Sequence, residues 1–280
     1  MVYRDMTDLL TPEIAATHVR SQDGTAIAYT RAGEGPPLVI VDGALCHRAF
    51  GPSSKVAALL SASFTVYTYD RRGRGASGDT PPSTPEREVE DLEAVIDAAG
   101  GSAYVVGFSS GAALAMETAR RGPAIEKLAL YEAPFVVDGT HAPMPDDFVA
   151  RMDAAIAAGR PGDAVKQFMR WVGTPGVFVA AMQVTPIWRK LKAVGHTLPY
   201  DMALVEPHHH GRPLEREDWA AVRAPALVCA GGKSPEWMRN AMAALADALP
   251  NARLLTLEGQ THMVKAKVLA PVLADYFTQP

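Results

Sequence analysis

Through the first half of the chain, short apolar runs alternate with longer stretches patterned at helical spacing. Ala26–Thr30, Pro37–Val41 and Ser63–Asp70 are rich in aliphatic, aromatic and β-branched residues and read as strands. Residues 86–99 follow a Pro-rich loop, and Val89, Leu92, Val95 and Ile96 give them one apolar face. Gly100-Gly101 supplies a stop. The pattern then predicts a strand over Ala103–Phe108, a helix over Gly111–Arg121 and a strand over Lys127–Tyr131. The same rhythm returns near the C-terminus, with strands at Ala226–Ala230 and Arg253–Leu257 and helices at Pro235–Leu249 and Val264–Phe277.

Strand and helix in strict alternation imply a mostly parallel sheet covered on both faces. Between Pro134 and Asp218 the rhythm breaks. Apolar residues recur there at helical spacing, in Phe148, Val149, Met152 and Ile156 and again in Val165, Phe168, Met169 and Val172. The organisation expected is therefore an α/β core, residues 1–133 and 219–280, with a helical cap at 134–218 inserted between two strands.

Composition narrows this picture. A length of 280 residues suits one α/β domain with an insertion or a pair of domains. With 48% hydrophobic and 21% charged residues, disorder, a fibrous repeat and a disulfide scaffold are excluded. The net charge of −4, with no long basic run, argues against a nucleic-acid partner. Cys46 and Cys229 read as buried, inert thiols in a reducing compartment. Residues 1–8 mix charges without an apolar core, and no run of 18 apolar residues occurs, so neither a secretory signal nor a membrane span is expected. A cytoplasmic protein is the expectation.

The strongest chemical signal is Gly107-Phe108-Ser109-Ser110-Gly111, which leaves a strand and opens a helix directly. That context is what a nucleophile elbow requires: glycines on either side allow a strained turn that lifts the Ser109 hydroxyl clear of the sheet edge. The N–H of Ser110, at the helix N-terminus, then faces the place where an oxyanion forms. A serine needs a base, and His262 lies in a loop between the last strand and the last helix. Strand C-terminal ends line the ligand crevice of an open parallel sheet, so this histidine is in reach of Ser109.

Two other patterns point elsewhere and are set aside. Gly73-x-Gly75-x-x-Gly78 matches a dinucleotide fingerprint, yet Asp79-Thr80-Pro81-Pro82 follows where a helix should open. His208-His209-His210 cannot all face one ion, and no companion ligand spacing supports a metal; a polar hinge is the better reading. The cap's Met152, Met169, Trp171, Met182, Trp188 and Met202 suit either an apolar substrate tunnel or the cap's own core.

Together, the elbow, the stretch Tyr69-Asp70-Arg71-Arg72-Gly73-Arg74-Gly75-Ala76-Ser77-Gly78, the cap insertion and the late Gly259-x-x-His262 resemble the α/β-hydrolase superfamily over roughly residues 20–278. The resemblance implies an α/β-hydrolase fold and a triad in the order nucleophile, acid, histidine. Most relatives carry an aspartate where this chain has Ser234; a minority place the acid after the strand following the elbow helix, where Glu132 stands. Glu132 is therefore the expected acid, with Glu236 the runner-up if its loop folds inward. Family members usually show His-Gly in the oxyanion loop; here it is Asp42-Gly43, with the N–H of Ala44 as the second donor and Asp42 leaving a carboxylate near the site.

The activity implied is a serine hydrolase acting on a small or medium ester, lactone or thioester, with no metal or organic cofactor. Serine at 109 and alanine at 44 argue against dehalogenase and epoxide hydrolase chemistry. A lyase, acyltransferase or perhydrolase, or a non-catalytic ligand binder, remains compatible with the fold. The partner expected is a small-molecule substrate, with no nucleic acid and no membrane; self-association into a homo-oligomer is left open.

Overall fold

A computed structural model describes residues 16–122 and 124–279; the expected absence of a signal in residues 1–8 lies outside them. Among the described residues eight strands form one sheet: β1 (Thr17–Arg20), β2 (Ala26–Ala32), β3 (Pro37–Val41), β4 (Thr65–Tyr69), β5 (Ala103–Phe108), β6 (Ile125–Tyr131), β7 (Ala226–Gly231) and β8 (Ala252–Leu257). Their order is β1-β2-β4-β3-β5-β6-β7-β8. Pairing from β4 through β8 is parallel, whereas β1 and β2 join the sheet antiparallel. This is the α/β-hydrolase fold.

The core helices are α1 (Ser53–Leu60), α2 (Pro85–Ala98), α3 (Ser110–Arg121), α10 (Glu236–Ala248) and α11 (Ala266–Thr278). Between β6 and β7 lie α4 (Phe148–Ala157), α5 (Pro161–Trp171), α6 (Gly176–Met182), α7 (Pro186–Val194), α8 (Leu198–Val205) and α9 (Arg216–Trp219).

Alternation along the strands sorts the core into two layers. Val39, Val41, Val105, Leu128, Leu130 and Val228 face α2, α3 and α10. Their neighbours Leu38, Ile40, Val106, Phe108, Ala129 and Leu227 face α1 and α11. The first layer continues without a break into the inserted helices through Met152, Trp188 and Met202, with Met169, Trp171 and Met182 packed against it. These residues thus serve as core.

The edge strand β1 and helix α1 have no counterpart in the sequence pattern. β1 is four residues long and mostly exposed, so alternation is too short to register. α1 opens at Pro52 without a side-chain cap. Helix α2, by contrast, has Thr84 at its N-cap, with Oγ1 accepting from the Arg87 N–H, and Pro85 at its first position.

The insertion is tied at its base, where the Val136 N–H donates to His208 O and the Gly211 N–H to Val136 O. Of the three histidines His210 is exposed, 3.6 Å from Glu206, and the polar-hinge reading fails for His208 and His209. His208 packs on Phe135 and Trp219, His209 on Trp171, and burial pulls both imidazoles down to about 4. Their neutral rings fill an aromatic cluster.

Candidate active site

The crossover from β3 leads to β4 on one side, and the crossover from β4 passes back over β3 to β5 on the other, so a crevice opens above their C-terminal ends. Register places the site there. Val41 pairs with Gly107, Phe108 with Tyr131, and Tyr131 with Cys229. The residues one step past these pairs are Asp42, Ser109 and Glu132. The Ser109 N–H donates to Tyr131 O, and the Glu132 N–H to Cys229 O.

Ser109 is half-buried at φ +53°, ψ −125°, between β5 and α3. The turn closes tightly because its glycines have no side chains. A Cβ on Gly107 would lie 2.5 Å from Ala112 Cα, and one on Gly111 would lie 2.4 Å from Val41 O. Gly43, on the neighbouring loop, approaches so closely that a Cβ there would sit 2.9 Å from Ser109 Cβ.

Glu132 is fully buried. One carboxylate oxygen accepts from the Gly231 N–H at 2.6 Å, and the other lies 2.9 Å from His262 Nδ1. A carboxylate only accepts, so Nδ1 is the donor in this pair, and in the neutral imidazole that tautomer leaves the lone pair on Nε2. The loop bearing His262 is held independently by Tyr131, whose hydroxyl donates to Thr261 O at 2.7 Å. Ser234 is buried with its hydroxyl unpaired by any described residue, and Glu236 is exposed on the first turn of α10. Of the two carboxylates weighed, the structure brings Glu132 to the histidine.

Ala44 lies in a turn closed by the Cys46 N–H to Gly43 O, with Leu45 at φ +63°. Neither its N–H nor that of Ser110 is taken by another described residue. Three non-glycine residues have positive φ among the described residues: Leu45, Ser109 and Glu132. All three flank this crevice, and strained backbone concentrates where geometry serves function.

Asp42 does not present a carboxylate to the crevice. It is buried, one oxygen accepts from the Ser53 N–H at 3.3 Å, and the other has no described partner. Burial pushes its carboxyl up to about 7, with the Ser53 hydrogen bonds acting in the opposite direction. Cys229 is buried and Cys46 partly so, and burial pushes both thiols up to about 12, which disfavours the thiolate.

The glycine-rich loop after β4 is filled by protein. Asp70 accepts from the Arg48 and Ala76 N–H groups inside it, and a Cβ on Gly75 would lie 2.2 Å from the Asp70 carboxylate. A carboxylate in that position repels a phosphate, and the next helix begins only at Pro85.

A buried ion network beneath the elbow carries no clear mark in the sequence. Arg71 holds Glu88 through two bonds of 2.6 Å, and Arg72 holds Asp91 through two of 2.7 Å. Asp201 of α8 joins Arg71 at 2.7 Å and Arg74 at 2.6 Å. Three arginines within four residues, and a lone acid in the apolar run Leu198–Val205, are the only hints of it. No helix of the described residues is long and apolar enough to cross a membrane.

Comparison with known proteins matches residues 38–266 to the model of the alpha/beta hydrolase family. Among solved structures, an alpha/beta hydrolase from Sphaerobacter thermophilus is 49% identical, with a TM-score of 0.86, over 94% of this chain and 100% of its own. An enol-lactonase from Burkholderia xenovorans is 21% identical, with a TM-score of 0.71 over 94% of this chain and all of its own. An esterase from a Rhodococcus species is 20% identical, with a TM-score of 0.64, over 95% of this chain and 99% of its own. No curated protein matches the chain.

Proposed function

The chain belongs to the alpha/beta hydrolase family, and from that premise we propose a serine hydrolase that cleaves a small or medium carboxylic ester, lactone or thioester through an acyl-enzyme. Ser109 Oγ attacks the carbonyl carbon while His262 Nε2 removes its proton. Glu132 holds the imidazole in that tautomer and stabilises the cation it becomes. The N–H groups of Ala44 and Ser110 receive the developing oxyanion, and the helix dipole of α3 adds to the second. His262 returns the proton to the leaving oxygen or sulfur. Water, deprotonated by the same nitrogen, then releases the acyl group and restores Ser109.

The observation that carries this reading is the bond from His262 Nδ1 to Glu132 at 2.9 Å, which leaves Nε2 free to act as base. Esterase and enol-lactonase are the activities named for two solved members of the fold, and the proposed substrate class spans both. The helical segment 134–218 is proposed as the cap that shelters the acyl group.

The test is labelling with a fluorophosphonate, which reacts only with an activated serine, alongside p-nitrophenyl esters of graded acyl length. Wild type should label and turn over, and Ser109→Ala should do neither while keeping its circular dichroism spectrum. A folded wild type that takes no label and cleaves no ester overturns the proposal.

A further inference from the structure

The two N–H groups assigned to the oxyanion lie on separate loops, 66 residues apart in sequence (110 − 44), so something must hold them in register. Their supports converge on one carboxylate. Arg74 Nη1 donates to Gly43 O at 2.8 Å, and that carbonyl belongs to the same planar peptide as the Ala44 N–H. Arg74 Nη2 is anchored to Asp201 at 2.6 Å. On the other loop, the Ser110 hydroxyl donates to Asp201 at 2.7 Å, which pins the residue whose N–H is the second donor. Arg71 completes the cluster, reaching Asp42 O at 3.3 Å, Ser110 Oγ at 3.2 Å and Asp201 at 2.7 Å.

We infer that Asp201, contributed by the inserted helix α8, is a positioning residue that aligns and polarises both oxyanion donors through Arg74 and Ser110. A cationic donor on the Gly43 carbonyl draws electron density through the peptide and strengthens the N–H at its other end. Fixing the carbonyl also fixes the N–H, because the peptide is rigid. Every group in the cluster is nearly inaccessible: Arg71 and Ser110 are 1% exposed, Asp201 is 0% exposed and Arg74 is 1% exposed. Water therefore does not compete for these bonds. Burial opposes the Asp201 charge, but Arg74 and Arg71 outweigh it and hold its carboxyl below the ordinary value. Docking of the insertion on the core and assembly of the oxyanion site are, on this geometry, one event.

The inference rests on the serine hydrolase reading, and its test separates the two. Asp201→Asn and Ser110→Ala are compared with wild type, with active sites counted by fluorophosphonate labelling. Three quantities are read: kcat and KM for p-nitrophenyl butyrate, and Ki for an alkyl trifluoromethyl ketone. The ketone adds to the serine as a tetrahedral oxyanion and so reports the donors directly.

Removing an oxyanion donor outright costs about 10²–10³ in kcat, so misaligning one should lower kcat by roughly tenfold or more. Ki should rise by a matching factor, with KM within about twofold. Should Asp201→Asn fail to fold, Ser110→Ala, which removes one hydroxyl and keeps the N–H, decides alone. Folded variants with kcat and Ki within twofold of wild type overturn the inference, as does a fall in kcat without the matched rise in Ki. Absence of labelling and turnover in wild type overturns the hydrolase reading and this inference together.

Discussion

His262 Nδ1 sits 2.9 Å from Glu132 Oε2 although 130 residues separate the two in sequence. Three successive parallel strands, β6, β7 and β8, create the meeting. Glu132 is the first residue beyond β6, and His262 lies five past the end of β8 (262 − 257). The Gly231 N–H, at the end of the intervening β7, occupies the other oxygen of the carboxylate. Glu132 is thereby held at both ends, and its unusual φ of +49° aims it across β7 toward the histidine.

Replacing Glu132 by Gln keeps an acceptor for the Gly231 N–H while removing the charge that orients and stabilises the imidazolium. In the serine protease template the corresponding change lowers kcat about 10⁴-fold. A fall of that order is expected for Glu132→Gln under steady-state ester hydrolysis, whereas Glu236→Gln should stay within twofold. A near-wild-type rate for Glu132→Gln overturns the assignment.

Gly111 tests the elbow's packing. An alanine there would place its Cβ 2.4 Å from Val41 O and 2.6 Å from Asp42 O. Both are main-chain atoms at the end of β3 and cannot rotate away. Overpacking of this kind costs about 1–3 kcal/mol, and the upper end is expected here. Urea denaturation reads it, and a loss under about 0.5 kcal/mol, well below that range, would show that the close approach is relieved.

Asp42 makes stability depend on pH. Burial raises its carboxyl to about 7 in the folded protein, against about 3.9 in an unfolded chain. Between about 4 and 7 the folded state holds a proton that the unfolded state has lost. This group's contribution therefore falls as pH rises through that window, by at most ~1.4 kcal/mol per unit. An asparagine in its place would not titrate, so Asp42→Asn should gain on wild type in urea denaturation between pH 5 and pH 8. A difference that stays flat with pH contradicts it.

His209 acts with the opposite sign. Burial lowers its imidazole to about 4, while the unfolded chain takes up the proton near 6.5. Below about 6.5 only the unfolded state binds it, so this contribution is intact at neutral pH and is lost as pH falls toward 4. Its Nδ1 accepts from the Met144 N–H at 3.0 Å, an acceptor that an asparagine oxygen can mimic. His209→Asn should lose less stability than wild type between pH 6.5 and pH 4.5. Parallel acid-unfolding curves would refute the assignment.

What the sequence determined by itself was local. Gly107-Phe108-Ser109-Ser110-Gly111 announces an elbow because the glycines, the strand before and the helix after are contiguous and each acts within a few ångströms. The apolar runs at Pro37–Val41 and Ala103–Phe108 are strands in the structure for the same reason: side-chain alternation is a property of neighbouring residues. The exposed β1 and uncapped α1 escaped because four residues, or a helix without start and stop signals, carry too little local pattern.

The family resemblance favoured Glu132 over Glu236, but only tertiary structure brings it to His262, through strand order and register. It also buried the three arginines of Arg71-Arg72-Gly73-Arg74 against acids 17 to 130 residues away, turned Asp42 inward, and gave His208 and His209 to an aromatic cluster. Each of these outcomes is a pairing of charge or ring across long chain separation. Such pairings are set by the packing of whole elements, which no stretch of sequence spells out.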